Sequence, residues 1–287
     1  ELLKRLSMEA PGTYAHTINV ANLAESAAGA IGANGLLCRV GIYYHDVGKM
    51  LKPQYFVENQ PGGRNPHDRL KPDTSASIVR EHVLEGVRLA REAGVPEVIV
   101  DFITEHHGTQ QIGFFYEKAR EESQEDEELE PEQFEYPGPR PRSRETAIVM
   151  LADSVESATR ALQEPTPERT RDLVENIVDG KIEAGQLDEA PLTLEEIATL
   201  KEQLVKILSG MYHHRIDYPG TKHLTDAPAE RAVAETASSE DLPDAAPGEG
   251  GAAKSGPDDA PAGGAGEDVG ARSESVSGAA ADPDPEE

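Results

Sequence analysis

Apolar positions recur every three or four residues along most of the chain, the period of an amphipathic helix. Between His16 and Ile31 the stripe runs through Val20, Leu23 and Ala27, with Gly32 as its stop. Asn34 is placed to cap a shorter helix through Leu37, Val40 and Tyr44 that ends at Gly48. From Ser75 to Ala93, Ile78, Val79, Val83, Gly86, Val87 and Ala90 lie opposite Glu81, Glu85, Arg88 and Glu92, and Gly94 closes the helix. Pro96 suits the first turn of the next one, in which Ile99, Phe102, Ile103 and His106 share a face up to Gly108. A further helix is predicted over 145–162. Thr166-Pro167-Glu168 and Thr193-Leu194-Glu195-Glu196 mark the starts of two more, the second as a capping box. No hairpin signal and no alternating strand of any length interrupts this series, so the expected fold class is all-α.

Composition divides the chain. Only 37% of the 287 residues are hydrophobic and 5% aromatic, with no Trp, so one core cannot extend evenly over the whole length. The break falls near Leu224, beyond which there are 16 acidic and 3 basic residues, no aromatics and dense Ala, Gly, Pro and Ser. Such a segment cannot bury enough apolar surface to offset chain entropy. The expected organisation is a helical domain over 1–220, interrupted by an acidic insertion at about 121–135, and a disordered acidic tail over 221–287. The formal charge of −27 argues against binding a nucleic-acid backbone or an anionic membrane surface. A phosphate-bearing substrate would need local positive charge, from a metal or a placed Lys or Arg. The single cysteine, Cys38, excludes an internal disulfide framework and fits a reducing compartment. The chain starts at Glu1 rather than Met, which is compatible with a piece of something longer or with a shortened homologue.

The histidines supply the candidate chemistry. His16 shares a face with Val20, Leu23 and Ala27; His82 lies on the stripe of Ile78, Val79 and Gly86; His106 follows Phe102 and Ile103 by a helical step; His45 stands near the end of its helix. One such ring is ordinarily a core residue with a satisfied hydrogen bond. Four of them, each on a side that should be buried, all require partners, and a shared ion supplies one to every ring. Adjacent residues on a helix point about 100° apart. His45-Asp46 and His106-His107 can therefore straddle a pocket and serve two ions about 3.5–4 Å apart. Imidazoles with a few carboxylates suit iron, zinc, manganese, nickel or cobalt better than calcium or magnesium. The best second carboxylate is Asp153 of "MLADSVES", set mid-helix among Ile148, Leu151 and Val155; the plain alternative is an acid on a helix surface.

The order His16, His45-Asp46, His82, His106-His107, Asp153 resembles the HD-domain metal-dependent phosphohydrolases. The longer strings "PGTYAHTINVANLAE", "YYHDVGKM", "FVENQ", "NPHD", "FITEHHGT", "FEYPGP", "AIVMLADSVESATR" and "LTLEEI" narrow the likeness. They are similar to the cytoplasmic HD domain of the seven-transmembrane HD receptor family, the cyclic-di-AMP phosphodiesterases, over roughly 1–220. The resemblance implies a core ligand quartet of His16, His45, Asp46 and Asp153, with Asp46 bridging two divalent transition-metal ions, iron or manganese foremost. His82, His106 and His107 complete that site. It further implies a cytoplasmic phosphodiesterase whose partner is a cyclic dinucleotide, with no nucleic-acid polymer bound. A membrane would enter only through a transmembrane region preceding this segment, and self-association as a homodimer is left open. "HHGT" is not followed by the Gly-Tyr-Pro of the cyclic-di-GMP-type relatives, which points away from that substrate.

For substrate contacts, Lys49 is the choice for phosphate, and Asn59, Asn65 and His67 in the loop after the HD helix are candidates for the groove. Lys49 is equally a lysine answering a helix dipole, and the other three are also ordinary turn formers. His213 and His214 near Tyr212 read as structural, and His223 as part of the tail. The competing readings are an HD phosphohydrolase of a guanosine alarmone or nucleoside phosphate, and a non-catalytic cyclic-nucleotide sensor. The imidazoles beyond the quartet argue against the first, and the intact set of seven against the second.

Overall fold

The computed structural model describes residues 1–60, 62, 64–123, 129–162 and 166–212. The predicted tail over 221–287, His213, His214 and His223, and the middle of the acidic run lie outside the described residues. Among the described residues the chain is all-α, its only β feature being an isolated bridge between Gln111 and Glu135. The helices are α1 (Leu2–Glu9), α2 (Pro11–Ala30), α3 (Gly35–His45), α4 (Pro72–Glu92), α5 (Glu97–Glu105), α6 (Gly113–Glu122), α7 (Arg144–Ala161), α8 (Pro167–Glu183) and α9 (Leu194–Tyr212). No helix among these residues is long and apolar enough to cross a membrane.

Local chemistry explains most of the boundaries. Asn34 accepts from the Leu37 N–H at 3.0 Å, and Thr166 from the Arg169 N–H at 3.2 Å. The Thr193 box closes both ways: the Glu196 N–H donates to Thr193 Oγ1 at 3.2 Å and the Thr193 N–H to Glu196 Oε2 at 2.8 Å. Several boundaries differ from the sequence reading, α4 starting at Pro72 rather than Ser75 and α5 ending at Glu105 rather than near Gly108. α2 starts at Pro11, a first-turn proline, rather than near His16. The HD helix stops at His45 instead of Gly48, and Val47–Leu51 continue as a tighter 3-10 turn. α1 and α6 carry no long stripe and were not expected. Of the acidic run, Glu121 and Glu122 finish α6, and Pro131–Phe134 form a 3-10 turn that buries Phe134.

The main core joins α2, α3, α7, α8 and α9. α2 contributes small buried residues (Ala21, Ala24, Ala27, Ala28), which leave room for α3, α7 and α9 to pack against it. A second cluster joins Leu2 and Leu6 of α1 to Val47 and Met50 of the 3-10 turn, Leu89 and Ala90 of α4, and Val100 and Ile103 of α5. That cluster anchors the turn that follows Asp46 through Val47 and Met50. Gly48 brings the turn against α4 so closely that a Cβ there would lie 1.9 Å from the His82 carbonyl oxygen. The result is that α2, the end of α3, α4, the end of α5 and α7 all present polar side chains to one buried region.

Candidate metal centre

Asp46 sits between the C-terminus of α3 and the 3-10 turn, fully enclosed, and the imidazoles gather around it. Its Oδ2 lies 3.1 Å from His45 Nε2 and 3.9 Å from His16 Nε2. Its Oδ1 lies 3.4 Å from His82 Nε2 and 3.6 Å from His106 Nε2. Asp153 of α7 closes the His16 side, with Oδ1 2.9 Å from His16 Nε2 and 3.9 Å from His45 Nε2. His107 packs on His106 with ring centres 3.9 Å apart and stacks on Tyr136 at 4.0 Å. The structure thus brings together all seven of the side chains singled out in the sequence. Six of them form two overlapping groups, His16-His45-Asp46 and Asp46-His82-His106-His107, with Asp46 common to both, and Asp153 lies against the first through His16.

Three rings are oriented in the same way. The Nδ1–H of His45 donates to the Ile42 carbonyl at 2.7 Å, that of His82 to Val79 at 2.5 Å, and that of His106 to Ile103 at 2.9 Å. A carbonyl can only accept, so the proton of each neutral ring is on Nδ1 and the Nε2 lone pair points inward. The His82 and His106 Nε2 atoms stand 3.4 Å apart. Two lone pairs at that distance repel unless a cation lies between or beside them. His45 Nε2 and Asp46 Oδ1 are buried without a hydrogen-bond partner among the described residues. Orphaned atoms of this kind are costly in a dry interior, and the nitrogen-rich donor set with two carboxylates fits a transition metal.

The electrostatics agree with ligand-ready protonation at His82, His107, Asp46 and Asp153, whereas His16 holds its protons between two carboxylates. Burial pushes the His82 pKa down to about 3 and holds His107 well below the ordinary imidazole value. Both rings are therefore neutral near pH 7. Burial alone would raise Asp46, but the Lys49 ammonium 2.7 Å away outweighs it and holds the carboxyl well below the usual carboxylate range. For Asp153, hydrogen bonding from His16 likewise overcomes burial and lowers the pKa. Burial pulls His16 down, yet hydrogen bonds to Asp153 and Glu156 dominate and raise it to about 9.

Several surrounding residues were not singled out in the sequence. Glu156 Oε2, one turn beyond Asp153, lies 2.6 Å from His16 Nδ1. Glu58 Oε1 is 3.1 Å from Lys49 Nζ, whose other partner is Asp46 Oδ2 at 2.7 Å. Lys49 is therefore already neutralised by two carboxylates. Tyr136 walls the site, its buried phenol pushed up by desolvation. The loop candidates are engaged locally. Asn59 clamps the loop to α2, accepting from the Thr13 N–H at 3.1 Å and donating to Thr13 Oγ1 at 2.8 Å. Asn65 accepts from the His67 N–H at 3.1 Å, and His67 Nε2 donates to the Tyr55 carbonyl at 3.0 Å while its ring packs on Phe115. Beside the cluster opens a cavity of about 530 Å3, lined by His107, Tyr136 and Asp153 and, among others, by Gln110, Asn176 and Lys181. Asn59, Asn65 and His67 are not among its lining residues.

The HD domain family model matches residues 13–158. The chain is 47% identical over 218 residues to the cyclic-di-AMP phosphodiesterase PgpH of Bacillus subtilis, covering 76% of this chain and 30% of that protein. It is 44% identical over 221 residues to PgpH of Listeria monocytogenes, covering 77% and 30% respectively. The chain thus spans about 30% of the length of these curated relatives. Among solved structures, the L. monocytogenes PgpH HD domain in complex with cyclic-di-AMP superposes with a TM-score of 0.71 at 43% identity, over 74% of this chain and 97% of that one.

Proposed function

The chain belongs to the HD-domain family, and on that premise we propose that it is a metal-dependent phosphodiesterase that hydrolyses cyclic-di-AMP to the linear dinucleotide pApA. The proposal is supported by two relatives, 47% and 44% identical, that are cyclic-di-AMP phosphodiesterases. It is supported too by a similar domain solved with that dinucleotide bound. The observation that carries it is the convergence of inward lone pairs from His45, His82 and His106 on the buried Asp46 carboxylate. No mere core packing accounts for that arrangement.

In this reading His16, His45, Asp46 and Asp153 would hold one divalent ion, and Asp46, His82, His106 and His107 a second, with Asp46 shared. The family resemblance favours iron or manganese, and the mixed imidazole–carboxylate set itself admits zinc, nickel or cobalt as well. Bound there, the pair would supply Lewis acidity and a hydroxide source at neutral pH. The chain's own residues prepare the rest. The Ile42, Val79 and Ile103 carbonyls fix three ring tautomers, and Glu156 fixes a fourth ring. Lys49, held by Glu58, sets the position of Asp46. Tyr136, stacked on His107, forms part of the wall that keeps the reacting phosphate out of bulk water. The same reading places the domain in the cytoplasm, which suits the buried free thiol of Cys38.

The deciding experiment is incubation with cyclic-di-AMP and Mn2+ followed by chromatographic resolution of the products. Linear pApA is the expected product. Binding without turnover, or no interaction, would overturn the proposal.

A further inference from the structure

Lys181 is a buried cation that the cluster does not use. It sits on α8 with 4% of its surface exposed, and its Nζ donates to Gln110 Oε1, the side chain of a residue in the turn after His107. Among the described residues it makes no ion pair, its charge being felt only through the more distant attraction of Asp153. The contrast with Lys49 is direct, since that buried ammonium has Asp46 and Glu58 within 3.1 Å. In a chain of net charge −27, carboxylates to pair with a lysine are abundant. An ammonium left with one neutral amide in a dry setting is costly, and such groups cluster where a ligand completes them. Burial accordingly pulls Lys181 down to about 8.

Its position says what could complete it. Lys181 and Gln110 line the same cavity as His107, Tyr136 and Asp153. The main chain of Gln110 is itself held, its backbone carbonyl accepting from the Tyr136 N–H at 3.0 Å. An ammonium has three donors, and Gln110 takes one. A cyclic dinucleotide carries two phosphodiesters in one ring, so with one of them at the cluster the other brings a second negative charge into this cavity.

We propose that Lys181, positioned by Gln110, is the anion subsite for the phosphodiester that is not being cut, so that the cavity holds a cyclic dinucleotide by both phosphates. This rests on the hydrolytic reading given above. It assigns recognition of the substrate's second charge to α8, outside the residues 13–158 that the family model matches.

The test compares two substrates on the metal-loaded full chain: cyclic-di-AMP, with two phosphodiesters, and bis(p-nitrophenyl) phosphate, with one. Lys181→Met is expected to raise KM for cyclic-di-AMP about tenfold or more, the effect of one lost charge-assisted hydrogen bond, with a smaller change in kcat. Lys181→Arg should restore most of that loss, and kcat/KM for the single diester should stay near the wild-type value in both variants. Circular dichroism and metal content check that each variant is folded and loaded. If Lys181→Met does not fold, Lys181→Gln, which can still bond Gln110, gives the same comparison. An unchanged KM for cyclic-di-AMP, or equal losses on both substrates, would overturn the subsite. Wild-type turnover of the single diester without turnover of cyclic-di-AMP would overturn the proposed substrate instead.

Discussion

Glu156 Oε2 stands 2.6 Å from His16 Nδ1, so a carboxylate on α7 orients a ring on α2 from behind. Arg160 Nη2 donates to the same oxygen at 2.9 Å and holds it in place. With Nδ1 occupied, the His16 Nε2 atom faces Asp153 and Asp46. Partners of this kind typically change metal affinity by about 10–100-fold when removed. Glu156→Ala is therefore expected to weaken metal binding by that order while leaving helicity intact, and Glu156→Gln, which keeps an acceptor, to recover much of the loss. Competition against a chromogenic chelator measures both. Full affinity in Glu156→Ala would reduce Glu156 to a packing residue.

Asp46 is the one carboxylate common to both ligand groups. Asp46→Ala should remove bound metal from both and abolish turnover together with it. The fold is expected to survive, because Lys49 keeps Glu58 as its partner and the neighbouring His82 and His107 rings are already neutral. For the wild type purified without oxygen, metal analysis should give about two transition-metal ions per chain. A content of one ion or fewer contradicts a dinuclear site, and near-normal turnover in Asp46→Ala contradicts the central role of this carboxylate.

The all-α architecture was legible because α2, α4 and α5 each carry an apolar stripe whose period can be read without knowing what packs against it. α1 and α6 were not, since each buries just two side chains, Leu2 with Leu6 and Phe115 with Ala119, too few to set a period. The gathering of the seven polar side chains was legible for a related reason: His16, His82 and His106 lie on faces that had to be buried whatever the neighbours. Glu156 and Lys181 gave no such sign. In sequence an acid one turn after Asp153 reads as helix surface, and a lysine near the end of α8 reads as an answer to the helix dipole. Their roles depend on which helices cross, and no local pattern records that. Asn59 illustrates the converse. Its loop position suggested substrate, but its partner is Thr13, 46 residues away.

Gly48 ties the fold to the site. A Cβ at this position would meet the His82 carbonyl oxygen at 1.9 Å and the Gly86 nitrogen at 2.7 Å. Both are backbone atoms of α4 and cannot rotate aside, so Gly48→Ala must push the 3-10 turn and α4 apart. Overpacking of this kind costs about 1–3 kcal/mol, and the shift would also move His82 Nε2 from its place 3.4 Å from Asp46 Oδ1. A lower Tm and weaker metal binding are expected together. Gly29→Ala is the control, since its Cβ would meet nothing within 4 Å near the end of α2. There alanine should be neutral or stabilising by about 0.4–1 kcal/mol. If the two substitutions shift Tm alike, close approach at Gly48 is not what the fold requires.

The unpaired setting of Lys181 should also be visible in stability against pH. Burial lowers its pKa from 10.5 to about 8, so the folded chain binds this proton less tightly than the unfolded chain does. Below pH 8 the lysine is charged in both states and the folded state carries the full cost of burying it. Between pH 8 and 10.5 the folded chain releases a proton that the unfolded chain retains, and stability attributable to this residue rises with pH. Lys181→Met removes the titration. The expected result is that the urea midpoint of the wild type gains on that of Lys181→Met as pH goes from 7 to 10, the pairwise difference cancelling other groups that titrate in the same range. Midpoints that run parallel would mean that Lys181 is solvated or paired in solution, and with that the reason to expect an anion beside it would go.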